Sequence, residues 1–225
     1  SASIWGADEE FISAPQLDDL QCAFSSMKGF LYGEKNNYLA LHCVFDNEEV
    51  GSGTKQGAAS TFLRDTLQRI HEVLGYDRED YHIHLANSLM LSADNAHAVH
   101  PHHPQKTDAT NCVYMNEGIV VKSHAGQKYT SDAVSIAVFK DLCKKANVPV
   151  QFFANRSDEA GGSTLGNIAM AQVSMNSVDI GLPQLAMHST YETAGIKDTY
   201  YMIQVMTEFF NCHISEINTN VLKVD

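Results

Sequence analysis

The sequence predicts an α/β fold in which a mixed, largely parallel sheet is flanked by helices. Short apolar runs alternate with longer amphipathic segments along the chain, and polar side chains follow several of the apolar runs. Strands that alternate with helices are typical of layered α/β domains. The length of 225 residues suits one such domain with a sizeable buried core. We therefore expect residues 1–225 to belong to a single domain, without a linker or an internal repeat.

The individual elements follow from the period and length of each apolar pattern. In chain order we expect helix 18–30, turn 33–37, strand 38–45, helix 54–74, helix 78–87, strand 88–92, strand 118–122, helix 132–146, strand 148–154, helix 162–173, strand 177–181 and helix 197–210. The helix at 54–74 is amphipathic, and Gly75 is a plausible stop for it. The polar segment 97–116 predicts a long loop, which in a compact domain is usually functional or mobile.

Composition and charge narrow the possible partners. The net charge of −12 argues against nucleic acid and anionic membranes, because both favour a basic face. The N-terminus lacks the basic start and apolar core of a signal peptide, and no apolar run approaches membrane-spanning length. The five cysteines are odd in number and widely spaced, which fits reduced thiols in a cytoplasmic protein. Bound divalent cations could cancel part of the negative charge.

Two adjacent carboxylates mark the end of the first predicted strand. Glu48 and Glu49 follow the apolar run 38–45 and precede a predicted helix. In open α/β sheets, ligands bind at the edge where strands end and helices begin. Adjacent side chains diverge, so one carboxylate could bind a metal ion while its neighbour handles a proton. The alternative is a solvated acidic turn, which is the usual explanation for an isolated pair.

Similar side chains follow other predicted strands. Asp94, the pair Asp158 and Glu159, and His188 each come after a strand, and Asp18 opens the first helix. Because the carboxyl ends of parallel strands share one edge of a sheet, these groups could meet in space. Several carboxylates without basic partners would repel each other, and a divalent metal ion removes that repulsion. Mixed Asp, Glu and His ligands suit zinc, manganese or cobalt.

Four segments of the chain resemble motifs of the aspartyl aminopeptidase family, a group of co-catalytic metallopeptidases. They are SAPQLDDL at 13–20, DNEEVGS at 46–52, SADNAHAVHP at 92–101 and PQLAMHS at 183–189. Their order and approximate spacing agree along nearly the whole chain, which is far more specific than any one motif. The resemblance implies a metallo-aminopeptidase architecture of the phosphorylase/hydrolase-like type. It also implies a hydrolase that removes N-terminal Asp or Glu from peptides through a metal-activated water.

The resemblance further implies a role for each of five side chains. Asp18 would bridge two divalent metal ions, with zinc expected first and manganese or cobalt as alternatives. Glu49, Asp94 and His188 would be terminal ligands. Glu48 would be the general base that moves a proton from the hydrolytic water to the leaving nitrogen. From the residues alone, Glu48 and Glu49 could exchange roles, and Asp18 could instead cap a helix.

Other residues near these motifs have two interpretations each. Lys122 matches a family lysine that receives the acidic side chain of the substrate, but it could be an ordinary exposed strand lysine. His97 and His100 are expected to brace Asp94 from behind, although a polar histidine-rich loop could also hold an extra metal ion. Asp19 is expected to be a solvated helix residue or a hydrogen-bond acceptor behind the ligands.

The chain departs from the family in length. Family members carry an upstream His-x-Asp segment that supplies another ligand, and an inserted domain that builds a homo-oligomer; neither is visible here. The chain therefore resembles the carboxyl-terminal part of the catalytic lobe, with one metal site incomplete and the activity of the isolated chain in doubt. The alternative function is a non-catalytic binding or assembly module derived from a peptidase.

Overall fold

The computed structural model describes residues 1–35, 38–159, 161–218 and 221–225, so positions 36 and 37 of the predicted turn lie outside the described residues. The strands are β1 (Ser3–Trp5), β2 (Phe11–Ala14), β3 (Leu89–Ala93), β4 (Ala96–His97), β5 (Ile119–Ser123), β6 (Val150–Ala154), β7 (Asn176–Gly181), β8 (Pro183–Leu185), β9 (Glu192–Gly195), β10 (Ile214–Asn218) and β11 (Val221–Val224). The helices are α1 (Leu17–Tyr32), α2 (Phe62–Val73), α3 (Arg78–Ala86), α4 (Ala133–Lys145), α5 (Leu165–Ala169) and α6 (Ile196–Asn211), with a short 3-10 helix at Pro104–Lys106.

The main core surrounds a four-stranded sheet in the order β3-β7-β5-β6. β3 pairs in parallel with β7, and β5 pairs in parallel with β6, whereas β5 and β7 are antiparallel. This sheet and the helices α4 and α6 share one buried apolar cluster that includes Ile119, Val121, Phe139, Ile180 and Met202. The predicted mixed α/β class is therefore confirmed.

A second, five-stranded sheet in the order β1-β2-β9-β8-β4 was not predicted. Its pairs are antiparallel except for β4 with β8, so the fold contains less parallel pairing than the sequence indicated. These strands are two to four residues long, too short for an alternating pattern to be distinctive. The sheet matters for the site, because β2 leads into Asp18 and β8 and β9 flank His188.

The region between α1 and α2 corrects two sequence predictions. The segment 38–45 is not a strand: no described strand pairs with it, and Leu39 and Val44 are 50% and 61% exposed. The helix predicted from residue 54 begins only at Phe62, because the preceding chain folds back in turns. Ala59 N–H donates to the Ser52 carbonyl at 3.2 Å in that fold-back. Elsewhere in the chain, the predicted helix 162–173 is also shorter than expected, because only α5 is helical there.

Helix α1 packs closely on α6 and so fixes the start of the ligand-bearing segment. At Gly29 an added Cβ would lie 2.3 Å from the Met206 Cβ, so only glycine permits this approach of the two helices. None of the described helices combines the length and apolar character that crossing a membrane requires. The five cysteines form no disulfide within the described residues.

Candidate metal centre

Asp18 lies where β2 turns into α1. The backbone at Gln16 is left-handed, with φ of 61°, and Asp18 and Asp19 depart from helical geometry within the first turn and are joined by a cis peptide bond. The Asp18 side chain is only 3% exposed, and its Oδ2 lies 3.1 Å from Nε2 of His188. It makes no helix-capping hydrogen bond, because the cap position is Gln16 and no side chain caps it.

Glu48 and Glu49 occupy a tight turn that is built by local hydrogen bonds. Asp46 Oδ1 accepts the Asn47 N–H at 2.8 Å, and the Ser52 N–H donates to the Asn47 carbonyl at 2.9 Å. Asn47 and Ser52 both have left-handed backbone, with φ of 59° and 60°. The two glutamates of this turn differ in exposure: Glu49 is exposed, whereas Glu48 is half-buried.

His188 completes a first group of ligand atoms. It lies in the loop between β8 and β9, with a left-handed backbone of φ 67°. Its Nε2 is 3.1 Å from Asp18 Oδ2 and 2.9 Å from Glu49 Oε2. Ligand atoms of Asp18, Glu49 and His188 therefore lie within 4.8 Å of one another.

A second group shares Asp18 with the first. One oxygen each of Asp18, Asp19 and Asp94 also lies within 4.8 Å of the others. Asp94 follows β3 directly, as predicted, and its backbone N–H donates to the Ile180 carbonyl at 3.0 Å. The two groups are adjacent because Asp18 belongs to both.

Lys122 lies beneath the second group. Its ammonium is 3.0 Å from Asp94 Oδ2 and donates to the Asn95 carbonyl at 2.6 Å. The lysine side chain is 4% exposed and that of Asp94 is 14% exposed, so this is a largely buried ion pair. Burial by itself lowers the pKa of Lys122, but the charge and hydrogen bond of Asp94, together with Tyr129 and Asp179, outweigh it, and the pKa is raised. Lys122 is thus not an exposed strand lysine.

The carboxylates of the site carry more negative charge than nearby cations balance. Burial, followed by the charges of Asp94 and Glu49, raises the pKa of Asp18 to about 8. The same causes raise the pKa of Glu48 to about 7. Burial and then the charge of Asp94 raise the pKa of Asp19 well above its ordinary value. Divalent cations relieve such repulsion.

The chemistry of these side chains fits a divalent metal ion such as zinc. Carboxylate oxygens and one imidazole nitrogen are the donors of many zinc sites. Oδ1 of Asp18 and Oδ1 of Asp19 are buried and have no hydrogen-bond partner among the described residues. Unsatisfied buried oxygens are costly, and coordination of a cation would satisfy them.

Two expected contacts do not form. Within the described residues, neither His97 nor His100 hydrogen-bonds to Asp94; His100 Nδ1 instead accepts the backbone N–H of His102 at 3.2 Å. His97 lies in the short strand β4, which pairs with β8, and its side chain is exposed. The side chain that hydrogen-bonds to the Asp94 carboxylate is that of Lys122.

Other acidic residues at strand ends lie outside the site. Asp158 forms an ion pair with Arg156, and Glu159 forms one with Lys106 at 3.2 Å. The sequence reasoning also missed a ligand candidate, because Asp19 was expected to face solvent or to stand behind the ligands. The only signal for it was its position beside Asp18 in an Asp-Asp pair.

The chain matches the family model described as aminopeptidase I zinc metalloprotease (M18) over residues 1–210. A probable M18 family aminopeptidase 2 from Clostridium novyi is 48% identical over 209 residues, which cover 93% of this chain and 48% of that protein. Aspartyl aminopeptidase 1 from Schizosaccharomyces pombe is 39% identical over 215 residues, which cover 93% of this chain and 45% of that protein. The chain spans about half the length of these curated relatives.

Solved structures show the same likeness. The cryo-EM structure of the Ape4 and Nbr1 complex superposes with a TM-score of 0.87 at 38% identity, covering 93% of this chain and 41% of that chain. The structure of the mApe1 dodecamer from S. cerevisiae superposes with a TM-score of 0.80 at 28% identity, covering 93% of this chain and 48% of that chain.

Proposed function

Because the chain belongs to the aminopeptidase I zinc metalloprotease (M18) family, we propose that it carries most of a two-metal site that removes acidic residues from the N-termini of peptides. The observation that carries this proposal is that Asp18 belongs to both groups of ligand atoms. A shared carboxylate is what holds two cations next to each other in co-catalytic sites, where the ions lie about 3.5–4 Å apart.

In this proposal Glu49 and His188 hold one cation together with Asp18, and Asp94 holds the other. Asp19 is an additional donor to the second position, since its buried Oδ1 lacks a hydrogen-bond partner among the described residues. The description of the family supports zinc as the metal. Bound zinc would supply a Lewis acid that polarises the scissile carbonyl and lowers the pKa of a hydrolytic water.

Glu48 is the proposed general base. It lies on the same turn as Glu49, but its side chain is half-buried whereas that of Glu49 is exposed. A pKa near 7 lets its carboxylate take a proton at neutral pH and return it to the leaving amine. Glu49 is the worse candidate for the base, because its Oε2 is occupied by His188 at 2.9 Å.

Lys122 is the proposed determinant of acidic specificity. An ammonium has three N–H groups, and Asp94 and Asn95 accept two of them. The third can donate to the side-chain carboxylate of a substrate. The likeness to aspartyl aminopeptidase 1 of S. pombe supports acidic substrates.

Three structural features and a cellular location complete the proposal. Residues 1–225 form part of one catalytic domain, the second cation needs a ligand from outside this chain, and the complete enzyme is a homo-oligomer. The likeness of this chain to a subunit of the mApe1 dodecamer supports oligomerisation. A cytoplasmic location is supported by the five cysteines, none of which forms a disulfide within the described residues.

The test uses the protein expressed from its complete reading frame. Chromogenic substrates with N-terminal Asp, Glu, Ala or Leu are assayed before and after removal of metal by a chelator, and again after zinc is restored. We expect kcat/KM to be highest for Asp and Glu, activity to disappear with chelation, and zinc to restore it. Hydrolysis that survives chelation would contradict the metal-dependent mechanism. No hydrolysis of any of the four substrates would favour the non-catalytic assembly module.

Substitution of Lys122 tests specificity separately. Lys122→Ala should lower kcat/KM for the Asp and Glu substrates much more than for Ala and Leu, because a desolvated carboxylate left unpaired costs about 2–5 kcal/mol. The neutral substrates are the internal control for damage to the fold. An equal loss on all four would show that Lys122 only supports Asp94.

A further inference from the structure

One buried carboxylate beside the site has no role in the chemistry proposed above. Glu192 is the first residue of β9 and is 2% exposed. Its Oε2 accepts the backbone N–H of Asp18 at 3.0 Å, and its Oε1 accepts the backbone N–H of His188 at 2.7 Å. A single side chain therefore holds the backbone of two proposed ligands that are far apart in the sequence.

The second sheet places Glu192 between these two backbones. β9 pairs with β2, and Glu192 is the register partner of Ala14, four positions before Asp18. The loop that carries His188 runs directly into β9, so Glu192 also lies four positions after that ligand. The pairing of β2 with β9 thus fixes Glu192 relative to both ligand-bearing segments.

Both segments contain backbone that non-glycine residues rarely adopt. Gln16 has φ of 61° and His188 has φ of 67°. Such left-handed conformations cost about 1–3 kcal/mol each and persist only where the surroundings hold them. The hydrogen bond from the His188 N–H to Glu192 is a contact of that kind. Without it the loop would be free to relax and carry the imidazole away from Asp18.

Only a carboxylate can accept both hydrogen bonds. Each oxygen of Glu192 faces an N–H donor, and charge-assisted bonds of this type offset part of the cost of burying the charge. A glutamine of the same shape has one acceptor oxygen, and its NH2 group would face the second N–H. Replacing Glu192 by Gln therefore releases one of the two backbones.

We propose that Glu192 is a positioning residue that sets the distance between the Asp18 carboxylate and the His188 imidazole, and so sets the affinity of the site for zinc. This inference rests on the zinc site of the proposed function. Partners that orient metal ligands typically change metal affinity by about 10-fold to 100-fold when they are mutated. Glu192 differs from them in acting on the backbone of two ligands at once.

The chain offers a matched control for this role. Asp198 is also fully buried, and it also accepts two backbone N–H groups, from Asn116 at 2.5 Å and Gly118 at 3.0 Å. Neither donor belongs to a proposed ligand. Asp198→Asn should therefore destabilise the fold in the same manner as Glu192→Gln while leaving the zinc site intact.

The experiment measures zinc dissociation constants by competition with a chromophoric chelator, using protein expressed from its complete reading frame. We expect Glu192→Gln to weaken zinc binding by about 10-fold to 100-fold and Asp198→Asn to leave it unchanged. The visible absorption of cobalt-substituted protein should also change in Glu192→Gln only. If Glu192→Gln does not fold, Glu192→Asp keeps the charge but is too short to reach both N–H groups, and it should weaken zinc binding as well.

Each outcome decides a different point. Zinc affinity and a cobalt spectrum equal to those of the wild type in Glu192→Gln, or in Glu192→Asp where only that variant folds, would overturn the positioning role and leave the zinc site standing. An equal loss of zinc affinity in Asp198→Asn would reduce the role of Glu192 to general stability. If Asp18→Asn and His188→Ala bind zinc as tightly as the wild type, the proposed site itself is wrong.

Discussion

The two sides of the candidate metal centre are built differently. On one side Asp94 follows a strand of the main sheet and pairs with Lys122 from another strand, with side-chain exposures of 14% and 4%. On the other side Glu49 and His188 lie on loops, with side-chain exposures of 52% and 61%. Asp18 joins the two sides, since it contributes to both groups of ligand atoms.

The contrast in exposure indicates which part of the site is organised before a cation binds. The Asp94–Lys122 pair is shielded from water and rests on hydrogen-bonded strands, so its geometry is set by the fold. The contact between Glu49 and His188 is exposed, and contacts of that kind contribute about 0–1 kcal/mol. We infer that the sheet side is rigid without metal, whereas the loop side needs a bound cation to become fixed.

Substitution of the two glutamates on the loop side should produce the strongest change in activity. Glu48→Gln should lower kcat by about two to four orders of magnitude, the usual contribution of a positioned general base. It should retain zinc, because Glu48 is not among the proposed ligands. Glu49→Gln should instead weaken zinc binding, because it replaces a charged ligand. Steady-state kinetics and metal analysis of the two variants, purified from the complete reading frame, provide the measurement.

Glu49 and Glu48 serve as each other's control, since they share one turn. If Glu48→Gln loses zinc while Glu49→Gln keeps zinc and loses turnover, the two roles are reversed.

The next effect tests whether the sheet side is organised without metal. In metal-free protein, Lys122→Met should lower the free energy of unfolding by about 3–5 kcal/mol, because it leaves the Asp94 charge buried without its partner. His188→Ala should change it by no more than about 0.5 kcal/mol, as expected for an exposed side chain. Urea denaturation followed by circular dichroism measures both. Equal losses in the two variants would remove the distinction between the two sides.

The same division explains what could be predicted from the sequence. The strand that precedes Asp94 and the strand that carries Lys122 are largely apolar runs, and both lie within one residue of their predicted bounds. The apolar run 38–45 has a similar composition, but it has no partner strand among the described residues. Amino-acid composition alone does not show whether a segment has a strand to pair with. Glu49 and His188 were found through their motifs. Their positions depend on left-handed loop backbone, as at Asn47, and on short strands without a periodic signal.

Contacts that depend on long-range strand pairing were the least predictable part of the site. The acceptor role of Glu192 depends on the pairing of β2 with β9, which no local pattern indicated. The pairing of Lys122 with Asp94 likewise required the spatial order of β3 and β5, which are separated in the sheet by β7. Glu192 was therefore missed, and the ion pair of Lys122 with Asp94 was not predicted.

The smallest expected effect concerns pH and joins the two sides through Asp18. Its pKa in the folded protein is about 8, compared with an ordinary value of 3.8. Between these values the folded state holds a proton that the unfolded state has released, so the stability of metal-free protein should fall as pH rises from about 4 to 8. Glu48, with a pKa of about 7, acts in the same direction. Because neighbouring carboxylates share protons, we expect a net loss of only about 1 kcal/mol, or roughly 2–4 °C in Tm, between pH 5 and pH 8.

Zinc provides the control, since a bound cation takes the place of the proton. With zinc present, the part of this fall that arises at the site should disappear, and zinc affinity should increase as pH rises toward 8. The pKa of Asp198, which burial raises to about 7, adds a fall of the same sign that zinc does not alter. Thermal unfolding of wild-type and Asp198→Asn protein, each with and without zinc at pH 5 and pH 8, separates the two contributions. If zinc leaves the pH dependence of Tm unchanged in Asp198→Asn, then Asp18 does not exchange its proton for the metal. That result would contradict the inference that Asp18 joins the buried and exposed sides of the site by binding zinc.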